Sequence, residues 1–208
     1  MDVRQEAAAQ RSSYVESILR HSLIAELGSE LWRRNPSTTL QVFNSDVDDA
    51  GFDLVLKVRS AIRYVQLKQS HDGKMPPHCS VRLSFSELAG SCIILMSYSM
   101  QNISISSYSF LGEPPELPMK PVADHNESKS PVKKNKDGKK KIRKHYRDVP
   151  IGLFKKRLPI SDLVECLFPA IALFPTSGID TLDSLKATWP SNGQTADEYV
   201  RRLREGWD

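Results

Sequence analysis

Asp53, Gln66 and Lys68 are the side chains in this sequence whose types and spacing point most directly to chemistry. A carboxylate and an amide oxygen are hard ligands for a divalent cation, and an ammonium group beside them can orient a water and offset charge on a phosphate. All three lie in the stretch 46–70, DVDDAGFDLVLKVRSAIRYVQLKQS. FDLVLKV and IRYVQLKQ are β-branched and aromatic runs, and the residues between them are too few for a crossover helix, so the two strands must be antiparallel neighbours in a hairpin. Alternation puts Gln66 and Lys68 on one face and Val65 and Leu67 on the other. A two-residue loop at Ser60-Ala61 pairs Asp53 with Lys68 and Val55 with Gln66, each pair roughly 5 Å apart at Cβ. An odd loop would turn Asp53 to the opposite face unless a bulge restored it, so a shared site predicts an even loop.

The order of these residues is a helix carrying Glu, then Asp at the start of one strand, then Gln, any residue and Lys in the next. It resembles the PD-(D/E)XK nuclease superfamily with its restriction-endonuclease-like core. Within that superfamily the pattern is like that of bacterial members with D-x-x-x-G-x-D-L-V followed by Q-L-K, here Asp48, Gly51, Asp53, Leu54, Val55 and Gln66, Leu67, Lys68. Weaker likeness runs through SELAGSCIILMS, SFLGEPPE and LVECLFP, covering residues 10 to 168. The resemblance implies an α/β fold with a mixed central sheet flanked by helices. It also implies Asp53, Gln66 and Glu26 as ligands of Mg²⁺ or Mn²⁺, with Gln66 where Glu is usual, and Lys68 beside the attacking water.

The elements that must position these residues follow from periodicity. The first forty residues predict one long helix ending before Pro36, with Val15, Leu19, Leu23, Leu27 and Leu31 as its stripe and Ile18, Ile24 and Trp32 widening it. Glu26 lies at the stripe's edge, about 20° from Leu19 and about 60° from Leu23 on the helical wheel. Glu16 is placed equally well, so the choice of Glu26 rests on the resemblance. TTLQVFN predicts a first strand, CIILMSY a strand buried on both faces, and ISISSYSFLG a strand nearer an edge; SVRLSFSEL fits either a strand or a short helix. Ile160, Leu163, Val164 and Leu167 form one face of a helix that closes the core.

Composition bounds the rest. The chain of 208 residues suits one domain, read as 1–168, with a helical extension over 169–208, where a capping box at Thr195–Glu198 precedes Tyr199, Val200, Leu203 and Trp207. That extension docks on the body or on a second subunit, as in a homodimer. No apolar run approaches the ~20 residues a membrane span needs, and no signal-peptide core opens the chain, so the expected location is cytoplasmic. Cys79, Cys92 and Cys166 are odd in number and lack C-x-x-C spacing, which argues against a disulfide framework and a structural zinc site. Asp46 and Asp49 read as turn residues and Asp48 as part of the matching pattern, while His71 and His78 read as solvated loop residues.

The net charge of +4 conceals an asymmetry, because residues 129 to 147 hold ten of the 29 Lys and Arg and one of the 25 acids. Residues 113–147 are proline-rich and then lysine-rich with few apolar side chains, which predicts a mobile basic insertion. Its Lys133, Lys134, Lys136, Lys139, Lys140, Lys141, Arg143 and Lys144 suit the phosphates of DNA, and RNA fits the same charge pattern. Tyr146 is placed to stack on a base. The functional expectation is a metal-dependent endonuclease acting on DNA, in restriction or defence against foreign DNA. A nucleic-acid-binding module of the same fold without cleavage is the alternative, and a protein-interaction subunit is a third class. Taken singly, Asp53 and Lys68 would also serve as a cross-strand ion pair.

Overall fold

The computed structural model describes residues 10–44, 51–71, 73–134 and 140–169. The chain divides after Phe174, and the expected C-terminal helix lies outside the described residues, as do Asp46, Asp48 and Asp49. The elements are α1 (Ser12–Arg34), β1 (Leu40–Asn44), β2 (Leu54–Val58), β3 (Ala61–His71), β4 (His78–Arg82), α2 (Leu83–Ser86), β5 (Ser91–Ser99), β6 (Ser104–Gly112), β7 (Glu127–Lys134), β8 (Lys140–Pro150), β9 (Lys155–Leu158) and α3 (Ile160–Leu167).

A six-stranded mixed sheet in the order β1-β2-β3-β5-β6-β9 forms the centre, with β3 and β5 parallel and every other pair antiparallel. One face is covered by helices. Val15, Leu19, Leu23, Leu27 and Leu31 of α1 and Leu163, Val164 and Leu167 of α3 pack on Leu54, Leu56, Val65, Ile94 and Met96. The other face is covered by a three-stranded antiparallel sheet, β4-β8-β7, whose Cys79, Val81 and Val149 pack with Phe85 on Ile93 and Leu95. Because β5 is covered on both sides, its side chains are almost all buried, as its unbroken apolar run requires. A parallel pair needs a long crossover, and here β4 and the four-residue α2 supply it on their way to the small sheet. The mixed central sheet is therefore as expected, with the long helices on one face and, on the other, the small sheet together with the four-residue α2.

Residues 127–134 and 140–150 are strands, where composition predicts no regular structure. Pairing of β8 with β4, and of β7 with β8, supplies what local apolar content does not, and the flanking Met119, Val122, Val149 and Ile151 bury the apolar surface that anchors the small sheet. Trp32 is 64% exposed and does not widen the stripe, since it lies about 140° from Leu27 around α1. No helix among the described residues is long and apolar enough to cross a membrane. The three cysteines are free thiols; burial pushes the Cys92 thiol up to about 12.

The end of α1 is pinned to α3 through ion pairs. Buried Glu30 accepts from Arg33 Nε and Nη2 at 2.8 and 2.7 Å and from Arg34 Nε at 2.8 Å, while Arg34 Nη2 donates to Ser161 O at 2.8 Å. The Arg33 guanidinium, with help from Arg34, holds the Glu30 carboxyl down at about 2. A carboxyl lowered on folding stabilises fully above its unfolded value of 4.5, and that contribution drains as pH falls toward about 2. Arg33 is solvated, which screens its share, so the expected loss is about 1–2 kcal/mol rather than the ~3 kcal/mol of the full shift. Urea midpoints at about pH 6 and about pH 3 should therefore differ more in the wild type than in Glu30→Gln. An equal acid sensitivity in both would place the titration elsewhere.

Candidate active site

The hairpin closes through a two-residue loop, Arg59-Ser60, with partners Val58↔Ala61 through Leu54↔Val65. The loop is even, as expected, but it lies one residue earlier than Ser60-Ala61, so Val55 pairs with Tyr64 instead of Gln66. Arg59 takes φ 55°, the positive value that two-residue hairpin loops need at their first position. A shift of two in register preserves faces. Gln66 and Lys68 therefore still share one face, beside Ile93 and Leu95 of β5 and toward the small sheet.

Pairing with β2 stops at Val65, whereas β3 runs on beside β5 to His71. Asp53 sits where the ladder ends. Its N–H donates to Val65 O at 2.8 Å, and its Oδ2 accepts from Leu67 N–H at 2.6 Å, taking the place of a strand carbonyl. Asp53 thus comes beside Gln66 and Leu67, not directly across from Lys68. Gly51, two residues earlier, has φ +79°, and a Cβ there would lie 3.3 Å from Phe85 Cβ. The positive φ and the close approach to α2 explain why this turn takes glycine before the aspartate.

The result is a cleft of about 420 Å³ along this edge of β3. Asp53, Gln66, Lys68 and Gln69 form its floor, Glu16 and Arg20 of α1 one wall, and Ser80, Arg143 and Tyr146 of the small sheet the other. Gln66 is 9% exposed, and its Oε1 is buried without a hydrogen-bond partner among the described residues. Gln69 Oε1 is likewise unpartnered, while Gln69 Nε2 donates to Glu16 Oε1 at 3.2 Å. Lys68 lies close enough to Cys79 for its charge to offset part of the upward push that burial gives that thiol.

Glu26 is not among the residues lining this cleft. Its Oε2 accepts from Tyr108 Oη at 2.8 Å, tying α1 to β6, and burial first, then that hydrogen bond, raise the Tyr108 phenol far above its ordinary value. The helix carboxylate at the cleft is that of Glu16. Arg20, which the sequence reading passed over, shares the wall because it stands four residues from Glu16 on the same helix face. Of the basic segment, Arg143 reaches the cleft; Lys140, Lys141 and Lys144 are exposed on β8. Lys136 and Lys139 lie outside the described residues, and so do the side chains of Lys133 and Lys134.

For a divalent cation the floor offers an Asp53 carboxylate and an amide oxygen, Gln66 Oε1, that lacks any other partner. These are hard oxygen donors of the kind Mg²⁺ takes, with waters and phosphate oxygens completing its octahedron. Among the described residues no group of three or more His, Cys, Asp or Glu could hold a metal ion by itself. The sequence matches no protein-family model and no curated protein. Fold and cleft together define a class: a mixed α/β protein with a polar, oxygen-lined cleft at a sheet edge, walled by arginine and an aromatic ring.

Proposed function

We propose that this protein is a metal-dependent nuclease of the PD-(D/E)XK type that hydrolyses DNA phosphodiester bonds. The observation that carries this reading is the buried, unpartnered Gln66 Oε1 in one cleft with Asp53 and Lys68. A buried amide oxygen without a donor costs about 1–3 kcal/mol, which a bound cation would offset. Asp53 and Gln66 would hold Mg²⁺ or Mn²⁺, with Glu16 as the second carboxylate of the cleft. When bound, the metal supplies Lewis-acid stabilisation of the phosphate and a more nucleophilic water. Lys68 places a positive charge on the Gln66 face, where it binds the scissile phosphate and offsets the charge that grows on its oxygens. Arg20 and Arg143 stand on opposite walls; Arg20 holds a flanking phosphate by charge, and Arg143 adds positive charge to the wall facing it.

Incubating supercoiled plasmid and single-stranded DNA with the protein and Mg²⁺ or Mn²⁺ tests the proposal. Cleavage that a chelator stops is the expected result, and absence of cleavage on every DNA form would reject it. One observation favours a second reading, a binding module without cleavage: Gln66 brings no formal charge, so among the described residues Asp53 is the single carboxylate on the cleft floor. Such a module would bind DNA equally well with or without Lys68.

The two helix carboxylates separate cleanly. Glu16→Ala is expected to lower cleavage by about tenfold or more, as loss of a group at the reacting site does. Glu26→Gln should leave the cleavage rate within about twofold and lower stability by about 1 kcal/mol through its bond to Tyr108. Initial rates and urea midpoints of both variants decide this. The reverse pattern would return the helix acid to Glu26.

A further inference from the structure

The small-sheet wall of the cleft is shaped by a bulge in β8. Across β7, Ser128 pairs with Arg143 but Glu127 pairs with Arg147, so residues 144–146 are extra on β8. Across β4 the pairing is unbroken from His78↔Pro150 to Arg82↔Tyr146. Residues three apart on a regular strand point to opposite faces, and a bulge re-aims them. Here it brings Arg143 Cζ to 3.4 Å from the Tyr146 ring centroid, with both side chains lining the cleft. The bulge is held from behind by Arg147, whose Nη1 donates to Lys144 O at 2.7 Å and Tyr146 O at 3.2 Å and whose Nε donates to Ala123 O at 3.1 Å.

We propose that the stacked Arg143–Tyr146 pair is a platform for an unpaired base, so that the strand entering the cleft is single-stranded DNA. The proposal rests on the reading of the cleft as a nuclease site and names its substrate class. Arginine planes and aromatic rings are the two surfaces on which proteins stack free bases, and here one already lies on the other. A base inside a duplex has both faces covered by its neighbours and exposes only its edges, so away from duplex ends the platform meets a base that has left the stack. A cleft of about 420 Å³ is large enough to take a nucleotide-sized group. Arg20 and Lys68 supply charge for the phosphates on either side of that nucleotide. Arg147 is a positioning residue for the platform.

The test is binding with cleavage blocked by a chelator, using fluorescence anisotropy on an oligonucleotide, its blunt duplex, and the same oligonucleotide carrying 2-aminopurine. Single-stranded DNA is expected to bind at least about tenfold tighter than duplex, with 2-aminopurine fluorescence quenched on binding. Tyr146→Ala should weaken single-strand binding about tenfold, abolish the quenching, and leave duplex binding within about twofold. Tyr146→Phe keeps the ring and should behave as wild type; Arg143→Lys keeps the charge but loses the plane and should lose the quenching. Equal affinity for the two DNA forms, no measurable binding of either, or quenching that survives Tyr146→Ala would overturn the proposal. Stacking that persists in a protein without metal-dependent cleavage would instead reject the nuclease reading and leave the platform standing.

Discussion

Lys68→Ala should lower metal-dependent DNA cleavage by about 10³-fold while changing DNA affinity by about tenfold or less. Charge stabilisation and proton management at a reacting phosphate are each worth on the order of 10²–10⁴ in rate, whereas one phosphate contact among several contributes little to a binding surface that has other cations. Lys68 shares its face and its cleft with Gln66, whose side-chain oxygen is buried and unpartnered, so its loss removes the one positive charge that the described residues place on the cleft floor. Asp53→Ala should reduce cleavage at least as much, through weaker metal binding, but with a different signature. It removes the acceptor of Leu67 N–H as well as a ligand, so it should also lower stability by about 1–2 kcal/mol. Asp53→Asn keeps an acceptor oxygen and should recover most of that stability without recovering cleavage. Rates over a metal titration, set beside urea midpoints, check all three variants. Equal cleavage by Lys68→Ala and wild type would remove the nuclease assignment.

Arg63→Met should destabilise the folded protein by about 3–5 kcal/mol, the largest effect expected of any single change outside the apolar core. Arg63 stands on the helix-facing side of β3 and is 0% exposed. Its guanidinium donates to Leu167 O at 2.7 Å, Cys166 O at 2.8 Å and Glu113 O at 2.6 Å, and lies 5.9 Å from the Phe110 ring centroid. Two of those carbonyls close the last turn of α3, where the helix dipole is negative and favours a cation. Burial pulls the Arg63 pKa down, yet three carbonyl acceptors make the charged form tolerable. Methionine fills the volume but leaves three carbonyls without donors: about 1–3 kcal/mol for the buried Leu167 O, and about 1 kcal/mol each for Cys166 O and Glu113 O, whose contacts are part-buried. Arg63→Lys should recover only part of the loss, because one ammonium group cannot span the three acceptors in a plane. Denaturant unfolding measures this directly, and a loss under about 1 kcal/mol would mean that water replaces the guanidinium.

Much of the fold is legible in the sequence because its signals are local. The four-residue spacing from Val15 to Leu31 specifies α1, Asn35-Pro36 ends it, and the unbroken CIILMSY run specifies a strand covered on both faces. Strands β7 and β8 were not legible, since β8 is ordered by β4, more than forty residues away in the chain, and β7 only by β8 in turn. Arg63 carried no signal either. In AIRYVQLK it reads as a polar strand residue, and only the arrival of α3 and Glu113 turns its position into a buried site.

That Gln66 and Lys68 share one face of β3 is legible in the sequence alone, because a strand's period of two survives any even change in register. The sequence also placed two acids, Glu16 and Glu26, at the edge of one helical stripe. It did not distinguish them, since a wheel records angle and discards height, and ten residues of helix separate the two by about 15 Å along the axis. Tertiary structure decided which one meets the cleft: the crossing of α1 over the sheet brings Glu16 to Gln69 and Glu26 to Tyr108. The same is true of Arg143 and Tyr146, which strand alternation would point apart and which a bulge, held by Arg147, stacks together. Periodicity fixes directions within one element, whereas distances between elements come from packing and from the irregularities that packing stabilises.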